Sequence, residues 1–142
     1  MTASTLGRGI EVGDIDPVEL MEMYFETAKS HPFSDKIFAR FTEGRALNES
    51  KSSRVRARKG TRKSLLDGVP ISWKDLFDTA GVVTEAGSLL LEKRTPENDA
   101  DVLKNATDAG LVCVGKTHMS ELAFSGLGVN PITNTPPCIN DF

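Results

Sequence analysis

The chain has 142 residues, with 17 Lys and Arg against 20 Asp and Glu, a net charge of −3, 39% hydrophobic and 26% charged residues. That length suits one ordinary domain and that balance a globular chain, which excludes the disordered and fibrous classes. No apolar run approaches ~18 residues, so no membrane span or membrane partner is expected.

The start, MTASTLGRGIEVGD, has no apolar core of the kind a secretory signal needs, and residues 1–15 are expected to form a poorly ordered arm. Cys113 and Cys138 lie far apart, and His31 and His118 have no cluster around them. No metal spacing results, so no metal or cofactor is expected, and the cytoplasm with reduced thiols is the default compartment.

DPVELMEMYFETAKS predicts an amphipathic helix. Asp16 is placed as N-cap, Pro17 takes the first helical position and Glu19 is placed to close a capping box. Leu20, Met21, Tyr24, Phe25 and Ala28 share one face. His31-Pro32-Phe33 stops it, and KIFARF alternates in the manner of a strand. From Arg45 to Lys63 eight basic residues face Glu49 alone, which raises the question of a nucleic-acid patch. No aromatic side chain interleaves them to stack on bases, so a solvated helix and linker is the reading here, with no direct nucleic-acid partner.

Val69 to Trp73 is a β-rich run entered through Asp67-Gly68, and it predicts a strand with Lys74 at its end. Gly81, Thr84, Gly87 and Ser88 follow in a loop of small residues where backbone can approach a ligand. TPENDADVLKNATDAG predicts a second helix near 98–109, capped by Thr95, Asn98 or Asp99, with Ala100, Leu103, Ala106 and Ala109 on one face and Gly110 ending it. LVCV then predicts a strand at 111–114.

Gly110 to Thr117 also satisfies the phosphate-loop pattern G-x-x-x-x-G-K-T. A phosphate loop exposes the amides of its four middle residues. Leu111 to Val114 read instead as a buried strand, so the nucleotide reading is set aside. A short helix is expected near Met119–Phe124, and loop follows through Asn130-Pro131 and Pro136-Pro137.

Lys74 is the residue singled out for chemistry. A lysine at a buried strand end loses charge by desolvation, and a neutral amine is a usable general base. Pairing with Asp75 or Asp78 at the surface is the alternative.

LDGVPISWKDLFDTAGVVTEAGS followed by DADVLKNATDAGLVCVGKTHMSELAFSGLGVNP resembles the amidase signature family. Gly68, Pro70, Lys74, Asp75, Gly81, Thr84, Gly87, Ser88, Ala109, Gly110, Gly115, Lys116, Thr117, Met119 and Glu121 match the family text in order and spacing. The likeness runs over about 16–134 and is most specific over 67–126. It implies part of an α/β amidase-signature fold, a mixed β-sheet flanked by α-helices, ending before the glycine/serine-rich signature. It further implies amide hydrolysis by a Ser–cis-Ser–Lys triad, with Lys74 as the base, no cofactor and a small-molecule amide substrate.

Both serines lie C-terminal to NTPPCIND in relatives, so these residues by themselves are expected to be inactive, and Ser88, Ser120 and Ser125 are not nucleophiles. Phe124, Ser125 and Gly126 match a segment that lines the acyl pocket. Trp73 stands where a smaller residue is common, and His118 where Asn is common. The resemblance also admits the amidase-type subunit of a tRNA amidotransferase, with partner subunits, or a homodimer. A non-catalytic α/β binding module is the reading from outside the enzyme classes.

Overall fold

The computed structural model describes residues 1–138. Among them run α1 (Ala3–Val12), α2 (Pro17–Ser30), α3 (Ser34–Ile37), β1 (Phe38–Phe41), α4 (Glu43–Arg58), β2 (Pro70–Lys74), α5 (Asp101–Asp108) and β3 (Val112–Thr117). Short 3-10 turns stand at Leu89–Leu91 and Glu121–Ala123. The strands form one mixed sheet in the order β1-β3-β2, with β3 antiparallel to β1 and parallel to β2. The connection β2–α5–β3 is the βαβ unit that a strand, capped helix and strand in sequence lead one to expect.

The two faces of β3 explain its continuous apolar run. Val112 and Val114 pack with Met21, Phe25 and Ala46 under α2 and α4. Cys113 packs on the other side with Trp73 and Leu103, against α5. Both faces are covered, so β3 is buried from Val112 to Lys116. In α2 the Asp16 carboxylate accepts the N–H groups of Val18 at 2.8 Å and Glu19 at 3.3 Å, the cap read from the sequence.

Four expectations are corrected. Residues 1–15 are not an unordered arm: Thr2 caps α1 by accepting the Thr5 N–H, and Ile10 at its far end is 2% exposed. The second helix begins at Asp101 with Ala100 as N-cap, rather than with Thr95, Asn98 or Asp99. Asp99 is committed elsewhere, to both terminal nitrogens of Arg45 at 2.8 Å and to the Ala80 N–H at 2.8 Å. The helix expected near Met119–Phe124 is a single 3-10 turn, because Leu122 and Ala123 adopt left-handed backbone at φ 48° and 62°.

The fourth correction concerns the basic stretch, which is not simply solvated. Arg45 pairs with Asp99 and Glu49, Arg54 with Asp16, and Arg56 with Asp67. These arginines tie α4 to its neighbours.

Gly110-to-Thr117 is a helix end and a strand, not a phosphate loop. Gly110 has φ 93°, and Gly115, Lys116 and Thr117 are all strand residues paired to β1 or β2.

Candidate active site

Lys74 is the last residue of β2 and sits opposite Thr117 of β3. Its neighbours on either side are buried, Trp73 at 8% exposure and Asp75 at 3%, while Lys74 itself is exposed. The expectation of a buried amine is therefore corrected. Strand alternation is the cause: the indole of Trp73 turns inward to Leu103, Cys113 and Phe77, so the next side chain turns the other way. The same packing gives Trp73 a core role, edge-on to Phe77 with ring centroids 5.3 Å apart.

Neither acid offered by the sequence pairs with Lys74. Asp75 accepts from Arg40 Nη1 at 2.5 Å, and Asp78 is held bidentately by Arg94 at 2.7 Å. Among the described residues the Lys74 ammonium makes no ion pair.

The buried lysine is a different one. Lys116 is fully buried, donates to the Phe77 carbonyl at 2.5 Å and the Thr84 hydroxyl at 3.0 Å, and stands 3.7 Å from Asp75 Oδ1. A one-residue slip in the β2–β3 register places it there. Ile71 pairs with Cys113 but Ser72 pairs with Gly115, so one extra residue of β3 is accommodated at Val114. The bulge reverses the alternation beyond it and aims Lys116 at the face that carries Trp73.

Burial pushes the Lys116 amine below the usual lysine range, and the nearby Asp75 charge only partly opposes this. Burial likewise pushes the Asp75 carboxyl up, against the pull of Arg40 and Lys116. Arg40 completes the cluster by donating to the Val83 carbonyl at 2.5 Å and to Glu85 Oε2 at 2.5 Å. A cavity of about 300 Å³ opens beside Arg40, Asp75, Glu85, Ser88 and His118, and neither Lys74 nor residues 124–126 line it.

The matched small residues beyond β2 are structural. Ser88 donates to Glu121 Oε1 at 2.7 Å, so both motif residues satisfy each other. Gly87 has φ 65°, and a Cβ there would fall 2.5 Å from the Asn130 amide nitrogen. Asn130 is 2% exposed and joins three segments. Its Nδ2 donates to the Gly87 and Met119 carbonyls, while Oδ1 accepts from Ile132 and Thr133. His118 meets the Asp35 carbonyl at 3.1 Å.

Phe124, Ser125 and Gly126 follow the 3-10 turn on an exposed loop, with Phe124 at 90% exposure. Neither they nor Lys74 line the cavity beside Arg40 and Asp75.

With that geometry in view, the family model described as Amidase matches residues 19–138. The chain belongs to the amidase family. Its mixed α/β layer is part of that fold, as two solved amidases show. One, described as an amidase, is 32% identical with a TM-score of 0.79, over 94% of this chain and 30% of its own. The other, the native peptide amidase from Stenotrophomonas maltophilia, is 27% identical with a TM-score of 0.78, over 85% of this chain and 25% of its own. Among curated relatives, a glutamyl-tRNA(Gln) amidotransferase subunit of Anaeromyxobacter dehalogenans (strain 2CP-C) is 37% identical over 94% of this chain and 27% of its own length. The mitochondrial counterpart from Ornithorhynchus anatinus is 33% identical over 87% and 23%. This amidase chain thus spans about a quarter of the length of the relatives it matches.

Proposed function

We propose that these residues form the N-terminal part of one amidase-signature domain whose intact form hydrolyses amide bonds, with Lys74 as the general base. The carrying observation is that Lys74 stands on a rigid strand end with both flanking residues buried, while the acids near it in sequence are taken by arginines. The base role itself comes from the match of Lys74 to the lysine of the family's Ser–cis-Ser–Lys triad. In the Ser–cis-Ser–Lys scheme Lys74 takes a proton from the bridging serine, and that serine takes one from the nucleophile as it attacks the carbonyl. When the tetrahedral intermediate collapses the proton returns to the leaving amine. Phe124, Ser125 and Gly126 are proposed to line the acyl side of the pocket, their exposure here leaving them free to meet substrate.

The test is Lys74→Ala in an intact amidase carrying these residues, with benzamide and propionamide as substrates. Loss of a general base costs ~10²–10⁴-fold. Turnover within a factor of about three of the parent would remove Lys74 from the role.

A second reading is favoured by the relatives' names: the intact protein serves as the corresponding subunit of a glutamyl-tRNA(Gln) amidotransferase and works with partner subunits. Co-purification of the intact protein with such subunits, together with amidation of glutamyl-tRNA(Gln), would support it. A protein that hydrolyses free amides alone and recruits no partner would favour the first reading.

A further inference from the structure

Arg40, Asp75, Glu85 and Lys116 form one ionic cluster. Two cations and two acids stand together where the sheet meets the loop after β2. Asp75 and Lys116 are its buried pair, and such a pair is often no better for stability than well-packed apolar side chains of the same volume, so its presence calls for another account. Geometry supplies one, because Arg40 and Lys116 reach the chain just after Lys74, at Asp75 and at Phe77.

Asp75 donates its N–H to the Thr117 carbonyl at 3.0 Å and accepts the Ala86 N–H on its own carbonyl at 2.9 Å. The Asp75 carboxylate holds Arg40 from β1 and the Glu85 N–H at 3.1 Å. Lys116 reaches from β3 under the turn to Phe77 and across to Thr84. The Phe77 N–H in turn donates to the carbonyl of Lys74 itself at 3.1 Å. The backbone of Lys74 is thereby clamped through residues 75–77, while its side chain has no ion pair among the described residues.

We propose that Lys116 and Asp75 are positioning residues for Lys74, forming with Arg40 a brace that fixes the backbone from which the base amine reaches. This rests on Lys74 being the base. The bulge at Val114 is part of the device, since without it Lys116 would point at α2 and α4. Removing the brace leaves the amine present but on a backbone free to shift, and small misplacements of a reacting group cost large factors in rate.

The experiment is a double-mutant cycle in the intact amidase with benzamide and propionamide, using Lys116→Met and Asp75→Asn, each alone and on a Lys74→Ala background. Each single variant is expected to lower kcat ~10–100-fold with KM within about threefold. On the Lys74→Ala background either change is expected to lower turnover by less than about threefold, because the braced amine is already gone. Multiplicative losses on that background would overturn the proposal, since Lys116 and Asp75 would then act independently of Lys74. A Lys74→Ala enzyme with normal turnover would instead refute the base assignment.

Amide hydrogen exchange of Asp75, Phe77 and Ala86 supplies a readout that needs no turnover. Lys116→Met is expected to lower protection of those amides at least ~10-fold, with Lys104→Met, a change at an exposed position of α5, as the control. Unchanged protection would overturn the brace whatever the kinetics.

Discussion

Gly110→Ala should be among the most destabilising single-methyl additions to this chain, for two separable reasons. At φ 93° a residue with a Cβ meets its own carbonyl oxygen, a strain of roughly 1–2 kcal/mol. The added methyl would also lie 2.5 Å from both Cγ and Oδ1 of Asp67 and 2.8 Å from its Cβ. Asp67 cannot easily retreat, because Arg56 grips both its oxygens at 2.6 and 2.7 Å and the Lys63 N–H donates at 2.9 Å. Overpacking of that kind costs about 1–3 kcal/mol, so the total should be about 2–5 kcal/mol.

Gly60→Ala is the matched control, with φ 66° and nothing within 4 Å of the added Cβ. It should cost only the conformational share, about 1–2 kcal/mol. Urea titration followed by Trp73, the one tryptophan of the chain and 8% exposed, measures both. A common m-value would confirm that the same transition is compared. If Gly110→Ala costs no more than Gly60→Ala, the contact between the end of α5 and the Asp67 carboxylate does not exist as described.

The same carboxylate sets an acid limit. Burial raises the Asp67 pKa, but the Arg56 fork and the Lys63 N–H outweigh it and the net shift is downward. A lowered folded pKa means stability that is present above the unfolded value near 3.9 and lost as pH falls through the folded one. Asp67→Asn should therefore flatten the stability profile measured by urea titration between about pH 5 and pH 2. Leu103→Ala, at a side chain with no exposure that joins α5 to Trp73 and Cys113, should cost about 2–5 kcal/mol by the same assay. Ser88→Ala should remove one hydrogen bond to Glu121, about 1 kcal/mol, and leave kcat of the intact amidase within tenfold. A loss of 10⁴-fold or more there would make Ser88 a participant in the chemistry instead.

Local rules in the sequence carried the helices and strands where one element's own residues decide its shape. Asp16 before Pro17, the apolar face of α2, the β-rich run after Asp67-Gly68 and Gly110 after α5 are signals of that kind. Tertiary claims on single residues overrode the rest. Asp99 is a good cap by type, but Arg45, 54 residues away along the chain, holds it at 2.8 Å, and α5 starts later in consequence. The opening residues read as an arm because the reason α1 packs is distant: Gly7 lies against the Leu65 carbonyl so closely that a Cβ would come within 1.9 Å of it. Leu122 and Ala123 have helical propensity, yet the Leu122 N–H is drawn to the Ala86 carbonyl at 2.9 Å and the chain turns left-handed.

The two lysines show the limit of the same reasoning at the site. Both stand in or beside apolar strands, and spacing alone offers no way to tell which one is buried. Alternation in β3 assigns Lys116 to the face of Val112 and Val114, toward α2 and α4. The bulge at Val114 changes that, and its signature is a pairing register, which exists only once β2 and β3 meet. Arg40 is equally silent in sequence, since KIFARF says only that it alternates with apolar neighbours. Its partners at positions 75, 83 and 85 come from the far side of the chain. The fold thus treats the two lysines differently. Lys116 is spent inside, holding carbonyl, hydroxyl and carboxylate at once. At Lys74 the fold holds down the residues on either side, Trp73 and Asp75, and leaves the lysine itself exposed.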